Sequence, residues 1–141
     1  MGSLYFLIGP KGSGKTYIGS LIGRRTDIHF LRVEDIWLAL KSHENGWLEV
    51  EKMIDKIFSQ KEKIIIESLG AGEDFHRFFS SLKSKYSIKM IRVWADLDLC
   101  FSRVKNRNSD EHISVSDDKV KEYNEIASKV KFDWDLEIKR M

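Results

Sequence analysis

Leu4-Tyr5-Phe6-Leu7-Ile8-Gly9-Pro10-Lys11-Gly12-Ser13-Gly14-Lys15-Thr16 is the stretch that decides how this 141-residue chain folds. Its first five residues form a continuous apolar run, the pattern of a central strand covered on both faces. The next eight match G-x-x-x-x-G-K-[ST] in full. From Lys15 to Arg25 the apolar residues Ile18, Leu21 and Ile22 then recur at helical spacing. A strand, a glycine-rich turn and a helix in that order make a phosphate-binding loop. The glycines of Gly9-Pro10-Lys11-Gly12-Ser13-Gly14 let successive N–H groups point inward as an anion nest. The helix that follows adds its positive end. Lys15 supplies a full charge for β- and γ-phosphates, and Thr16 a hydroxyl oxygen for Mg²⁺. These eight residues are therefore candidate ligands of ATP and Mg²⁺.

Outward from this stretch, strand-like and helical runs alternate to the end of the chain. That pattern reads as one α/β domain over residues 1–141 with a mainly parallel sheet. His29–Val33 reads as a second strand, followed by a short helix from Glu34 to Lys41. Val50, Met53, Ile54, Ile57 and Phe58 mark an amphipathic helix. Lys63–Glu67 is a buried strand that ends in an acid, and Gly70-Ala71-Gly72 forms a second loop. Phe75, Phe78, Phe79 and Leu82 define the next helix, and Ile88 to Trp94 a fourth strand. Leu97, Cys100, Phe101 and Val104 give a helix that carries Arg103 and Arg107. Asn106 to Ser116 is polar and without periodicity, so residues 103–116 are the expected lid. Ser116 can cap a helix with the stripe Val120, Tyr123, Ala127 and Val130, and Asp117 and Asp118 suit its first turn. Trp134, Leu136 and Ile138 alternate with acids as a last strand.

Composition narrows the classes. The chain is 42% hydrophobic and 33% charged with a net charge of +2, which excludes disorder and collagen-like structure. Its apolar runs are too short to span a membrane. One cysteine, Cys100, excludes a disulfide framework and a multi-cysteine zinc site, and points to the reducing cytoplasm. A charge of +2 does not argue for a nucleic-acid patch. A Ras-type guanine motif, Asn-Lys-x-Asp, is absent. An AAA-type motor is expected to be longer and to end this strand in Asp-Glu, where Glu67-Ser68 stands. A small-molecule kinase, with a compact core, an acceptor pocket and a lid, fits the length.

The stretch Phe6 to Gly19 resembles the first strand, loop and helix of the shikimate kinase branch of P-loop kinases. The resemblance continues more faintly through Gly46-Trp47-Leu48-Glu49-Val50-Glu51, Ile64-Ile65-Ile66 and Gly70-Ala71-Gly72, and into Arg103 and the polar segment after it. It implies a three-layer fold with a five-stranded parallel sheet in the order 2-3-1-4-5. It also implies transfer of the γ-phosphoryl group of ATP to a small hydroxyl- or phosphate-bearing acceptor. Val33-Glu34-Asp35-Ile36 resembles the acid after the second strand in gluconate-type and polynucleotide-type kinases, where that acid takes the acceptor proton. The departures point away from shikimate itself. Arg32 and Glu34 stand where the family has Asp-x-Asp, Trp47-Leu48 stands for Phe-Arg, and the lid lacks an arginine-proline pair.

The expected catalytic set is Lys15, Asp35 with Glu34 beside it, and Arg107. Asp35 is the preferred base. Arg103 and Arg107, four residues apart on one helix face, are expected on ATP. Glu67 at a strand end is a candidate second ligand of Mg²⁺, as a Walker B acid is. Trp37 and Trp47 lie near the expected acceptor pocket, although core or surface cover explains them more simply. A nucleotide-binding module without an acceptor, and a kinase acting on a nucleic-acid end, stay open as other readings. Lys11, Arg24, Arg25 and Arg32 would provide only a thin basic groove for the latter. Composition is silent on oligomeric state.

Overall fold

The computed structural model describes residues 2–39, 46–106 and 116–140. Its strands are β1 (Ser3–Ile8), β2 (His29–Leu31), β3 (Lys63–Ser68), β4 (Ser87–Trp94) and β5 (Leu136–Lys139). Its helices are α1 (Lys15–Arg25), α2 (Val33–Ala39), α3 (Gly46–Ile57), α4 (Glu73–Lys83), α5 (Leu97–Lys105) and α6 (Asp117–Ser128). The strands lie in the order β2-β3-β1-β4-β5 and every neighbouring pair is parallel. This is the three-layer α/β arrangement, and the sheet order, that the kinase resemblance implies. Leu4 sits level with Ile64 on one side and Ile88 on the other.

Side chains of a strand alternate between faces, and the central strands bury both. Leu4, Phe6, Ile8, Ile64 and Ile66 join one core with Val50 and Ile54 of α3 and Phe75, Phe78 and Leu82 of α4. Leu7, Ile65 and Val93 form the opposite core, covered by Ile18 and Ile22 of α1 and by Phe30. Phe6 anchors the first core, fully buried with edge-on contacts to Phe75, Phe78 and Phe79 at 5.8, 6.1 and 5.9 Å. Such a ring contributes about 1.5–3 kcal/mol through burial alone.

Three local readings change. The second strand stops at Leu31, and Val33, expected within it, is the first residue of α2. Glu34 and Asp35 in that first turn complement the helix dipole and favour the early start. On α6 the buried stripe is Val120, Asn124 and Ala127, whereas Tyr123 turns 36% of its surface outward. Trp134 precedes β5 instead of opening it, and packs on the first core, while Leu136 is exposed on this edge strand. Ser116 caps α6 as expected, its side chain accepting from Lys119 N–H. The expected lid falls mainly on 107–115, outside the described residues. No helix among the described residues is long and apolar enough to cross a membrane.

Candidate functional site

In an open parallel sheet the loops at the carboxyl ends of the strands form the natural ligand crevice. Here those ends deliver the glycine-rich loop after β1, Val33 and Glu34 after β2, and Glu67 and Ser68 at the end of β3. They converge on one cleft of about 370 Å³, lined by Lys15 and Thr16 together with Glu34, Trp37 and Trp47.

The loop is built for an anion. Gly12 has φ +83°, and a Cβ there would lie 2.2 Å from the Cys100 carbonyl oxygen, so α5 presses on the loop where only glycine fits. At the start of α1, Gly14 offers no side-chain cap and the first turn holds no acid. A helix N-terminus of this kind favours a phosphate. Lys15 is 9% exposed and donates from Nζ to the Gly9 and Pro10 carbonyls at 2.7 and 2.8 Å, which carries its ammonium inside the loop. Ser13 is fully buried beneath the loop, and its hydroxyl has no hydrogen-bond partner among the described residues.

Thr16 and Glu67, 51 residues apart, meet across the cleft floor. Thr16 Oγ1 donates to the Glu67 carboxylate, at 3.0 Å from Oε1 and 2.8 Å from Oε2. One hydroxyl and one carboxylate in contact are hard oxygen donors, the ligand type Mg²⁺ prefers, so the pair fits that ion. Glu67 is 6% exposed, and parallel pairing of β3 with β1 sets it level with Leu7.

The two acids after β2 part company. Glu34 lines the cleft, whereas Asp35 lies outside that lining, more than half exposed and 3.7 Å from Arg32. Arg103 reaches the loop, donating from Nη1 to the Gly12 carbonyl at 3.2 Å. Arg107, its expected companion, lies outside the described residues. Cys100 is fully buried, and burial pushes its thiol pKa up, which agrees with an inert side chain.

One feature escaped the sequence reading. Asn124 on α6 is 2% exposed and grips the loop: its Oδ1 accepts from Lys11 N–H at 2.8 Å, and its Nδ2 donates to the Lys11 carbonyl at 3.0 Å. The available signal was one polar residue at a core-facing position between Val120 and Ala127. Trp37 and Trp47, which the sequence sets near the expected acceptor pocket with core or surface cover as the simpler role, line the cleft.

This fold and loop define a P-loop nucleoside triphosphatase domain. Residues 5–109 match the family described as "ATPase family associated with various cellular activities (AAA)", and the chain belongs to that family. That corrects the expectation from length and from Glu67-Ser68, which set AAA-type proteins aside. Among curated proteins none matches the chain by sequence.

Solved structures share the fold at low identity. A chain of the Pnkp1/Rnl/Hen1 RNA repair complex superposes with a TM-score of 0.74 at 14% identity, over 90% of this chain and 44% of that one. The present chain thus spans less than half the length of that protein. A sugar kinase from Janibacter gives a TM-score of 0.64 at 12% identity, over 99% and 86% of the two chains. Shikimate kinase from Aquifex aeolicus gives 0.59 at 22% identity, over 96% and 86%.

Proposed function

We propose that the protein is an ATP-dependent phosphotransferase that moves the γ-phosphoryl group of ATP to a hydroxyl on a small acceptor. One observation carries this reading: a single cleft is lined both by the phosphate loop with Lys15 and Thr16 and by a carboxylate, Glu34. A hydrolase needs only a water beside the phosphate, whereas a transferase needs a walled space for a second substrate. The aromatic wall supports the second. The fold shared with sugar and shikimate kinases agrees with it.

In this reading the loop amides and Lys15 hold the β- and γ-phosphates, and Arg103 approaches them from α5. Thr16 and Glu67 would hold Mg²⁺, directly or through its waters, and the ion would neutralise phosphate charge. Glu34 accepts the proton of the acceptor hydroxyl. Phosphoryl transfer relies on positioning and charge neutralisation more than on covalent chemistry, and these groups supply both. Glu34 replaces Asp35 as the proposed base because a base must reach the proton it removes. Arg107 and the lid over 103–116 are proposed to close over the site and exclude water.

A second reading is ATP hydrolysis without an acceptor, favoured by the ATPase family to which residues 5–109 belong. ADP release from ATP·Mg²⁺, measured with and without a panel of hydroxyl compounds, separates the two. The phosphotransferase reading expects release to rise with an acceptor and a phosphorylated product to appear in equal amount. Release that stays the same across the panel, with inorganic phosphate as the only other product, overturns it.

A further inference from the structure

We infer that the acceptor is a ring compound that carries hydroxyls and no anionic group, seated with one face against the corner made by Trp37 and Trp47; this deepens, and rests on, the phosphotransferase reading above. The two indoles come from separate helices, α2 and α3, and meet edge to face with centroids 4.8 Å apart and planes at 76°. Neither is a loosely held surface ring. Trp47 stacks on Phe78 at 4.5 Å and 29°, and meets Phe75 at 5.5 Å, so the first core braces it from behind. Trp37 lies flush against the start of α3, where a Cβ on Gly46 would come within 1.9 Å of its Nε1. Residue 46 must therefore be glycine for this indole to lie where it does. Both rings still line the cleft that the phosphate loop lines.

A braced aromatic corner selects by shape and charge together. It offers wide dispersion contact to a flat base or to the C–H face of a sugar ring, at little entropic cost because an indole has few rotatable bonds and these are packed in place. The face of an indole carries the negative part of its quadrupole, so it attracts C–H and N–H edges and repels anions. Glu34 lines the same cleft. Ionised carboxylates only accept hydrogen bonds, which hydroxyls supply and a carboxylate or phosphate cannot. An acceptor bearing its own negative charge would meet the Glu34 carboxylate and two π faces. Val33 and Ala71 complete this apolar side of the cleft. The wall thus recognises hydroxyl donors on an apolar ring. In phosphoryl transfer the acceptor O–H proton passes to Glu34, the oxygen bonds to the γ-phosphorus, and the bond from that phosphorus to the β–γ bridging oxygen breaks to leave ADP.

Matched pairs test this on the full chain saturated with a non-hydrolysable ATP analogue and Mg²⁺. Uridine is titrated against uridine monophosphate, adenosine against its monophosphate, and glucose against gluconate, with tryptophan fluorescence and calorimetry as readouts. The expected result is that, in at least one pair, the member without the anionic group binds at least tenfold more tightly and quenches fluorescence. Trp37→Leu should weaken that binding at least tenfold, while Trp37→Phe keeps it within about threefold. Nucleosides and sugars are separated by which pair responds. Tighter binding of the anionic member in every pair, no binding by any compound, or equal binding by Trp37→Leu overturns the inference. The two proposals fail separately. ADP release driven only by the anionic members sinks this inference and keeps the phosphotransferase. Binding of the uncharged members with no transfer does the reverse.

Discussion

Asn124 holds Lys11 by both of its backbone groups, accepting its N–H at 2.8 Å and donating to its carbonyl at 3.0 Å, across 113 residues of chain. The carboxamide is the side chain that can do both at once, since it carries a donor and an acceptor on one plane. Through this contact α6 fixes the third residue of the phosphate loop. The helix that follows the expected lid is thereby joined to the nucleotide site.

Asn124→Ala should therefore cost about 1–3 kcal/mol of stability, because two backbone groups lose their partner. Asn124→Asp should cost at least as much, since a carboxylate keeps the acceptor and turns the donor into a repulsive contact with the Lys11 carbonyl. Urea unfolding measures both. A variant that matches the wild-type midpoint would show that the loop is held by other means.

Lys15→Ala should abolish stabilisation by ATP while the fold persists. A ligand at a hundred times its Kd raises stability by about 2.7 kcal/mol, which a thermal melt reads directly. The expected variant melts at one temperature with and without ATP·Mg²⁺. An undiminished shift would remove the loop from nucleotide binding.

The Thr16–Glu67 contact predicts a specific magnesium effect. Glu67→Gln keeps the shape of the side chain and removes its charge. The Mg²⁺ concentration for half-maximal turnover should rise by roughly 10–100-fold, the usual cost of altering a group that orients a metal ligand. Chelation by EDTA should silence wild type and variant alike. Identical magnesium titrations would exclude Glu67 from the metal site.

Glu34 and Asp35 can be told apart by turnover. Glu34→Gln should lower kcat by about 10²–10⁴, the range of general-base assistance, with ATP affinity little changed. Asp35→Asn should stay within about twofold, because an exposed ion pair such as the one with Arg32 contributes only about 0–1 kcal/mol. The reverse pattern would make Asp35 the base and require α2 to turn during catalysis.

Far from the cleft, Tyr86 donates its hydroxyl to Asp55, and Lys85 reaches Glu51 at 2.7 Å and Asp55 at 3.0 Å, which ties α3 to the start of β4. Burial, then the bond to Asp55, pushes the Tyr86 pKa up to about 12 from 10.0. The folded chain holds that proton more tightly than the unfolded chain. The contribution is complete below pH 10 and is lost as pH rises toward about 12. Burial works against the charge on Lys85, but its bonds to Glu51 and Asp55 outweigh this and raise its pKa, so it acts in the same direction. Melting temperatures from pH 9 to 12 should fall more steeply for wild type than for Tyr86→Phe. Parallel curves would refute the coupling.

Local chemistry was legible without a structure. A run of five apolar residues has one stable fate beside a glycine turn and a helix, so β1, the phosphate loop and α1 follow from neighbours in sequence. That Thr16 and Glu67 lie at one edge of the sheet was readable too, because strand ends in a parallel sheet share that edge. What tertiary structure decided was phase. Adjacent residues on a strand point to opposite faces, whereas on a helix they differ by about 100°. Once Val33 begins α2 instead of ending β2, Glu34 enters the cleft and Asp35 turns to Arg32. The same holds for Asn124 and for the packing of the two tryptophans on each other and on Phe78. An amide in an apolar stripe and an indole on a short helix acquire a role only from the partner that packing brings to them. Those partners lie far away in sequence, as Lys11 and Phe78 do here, and no local pattern encodes where they will be.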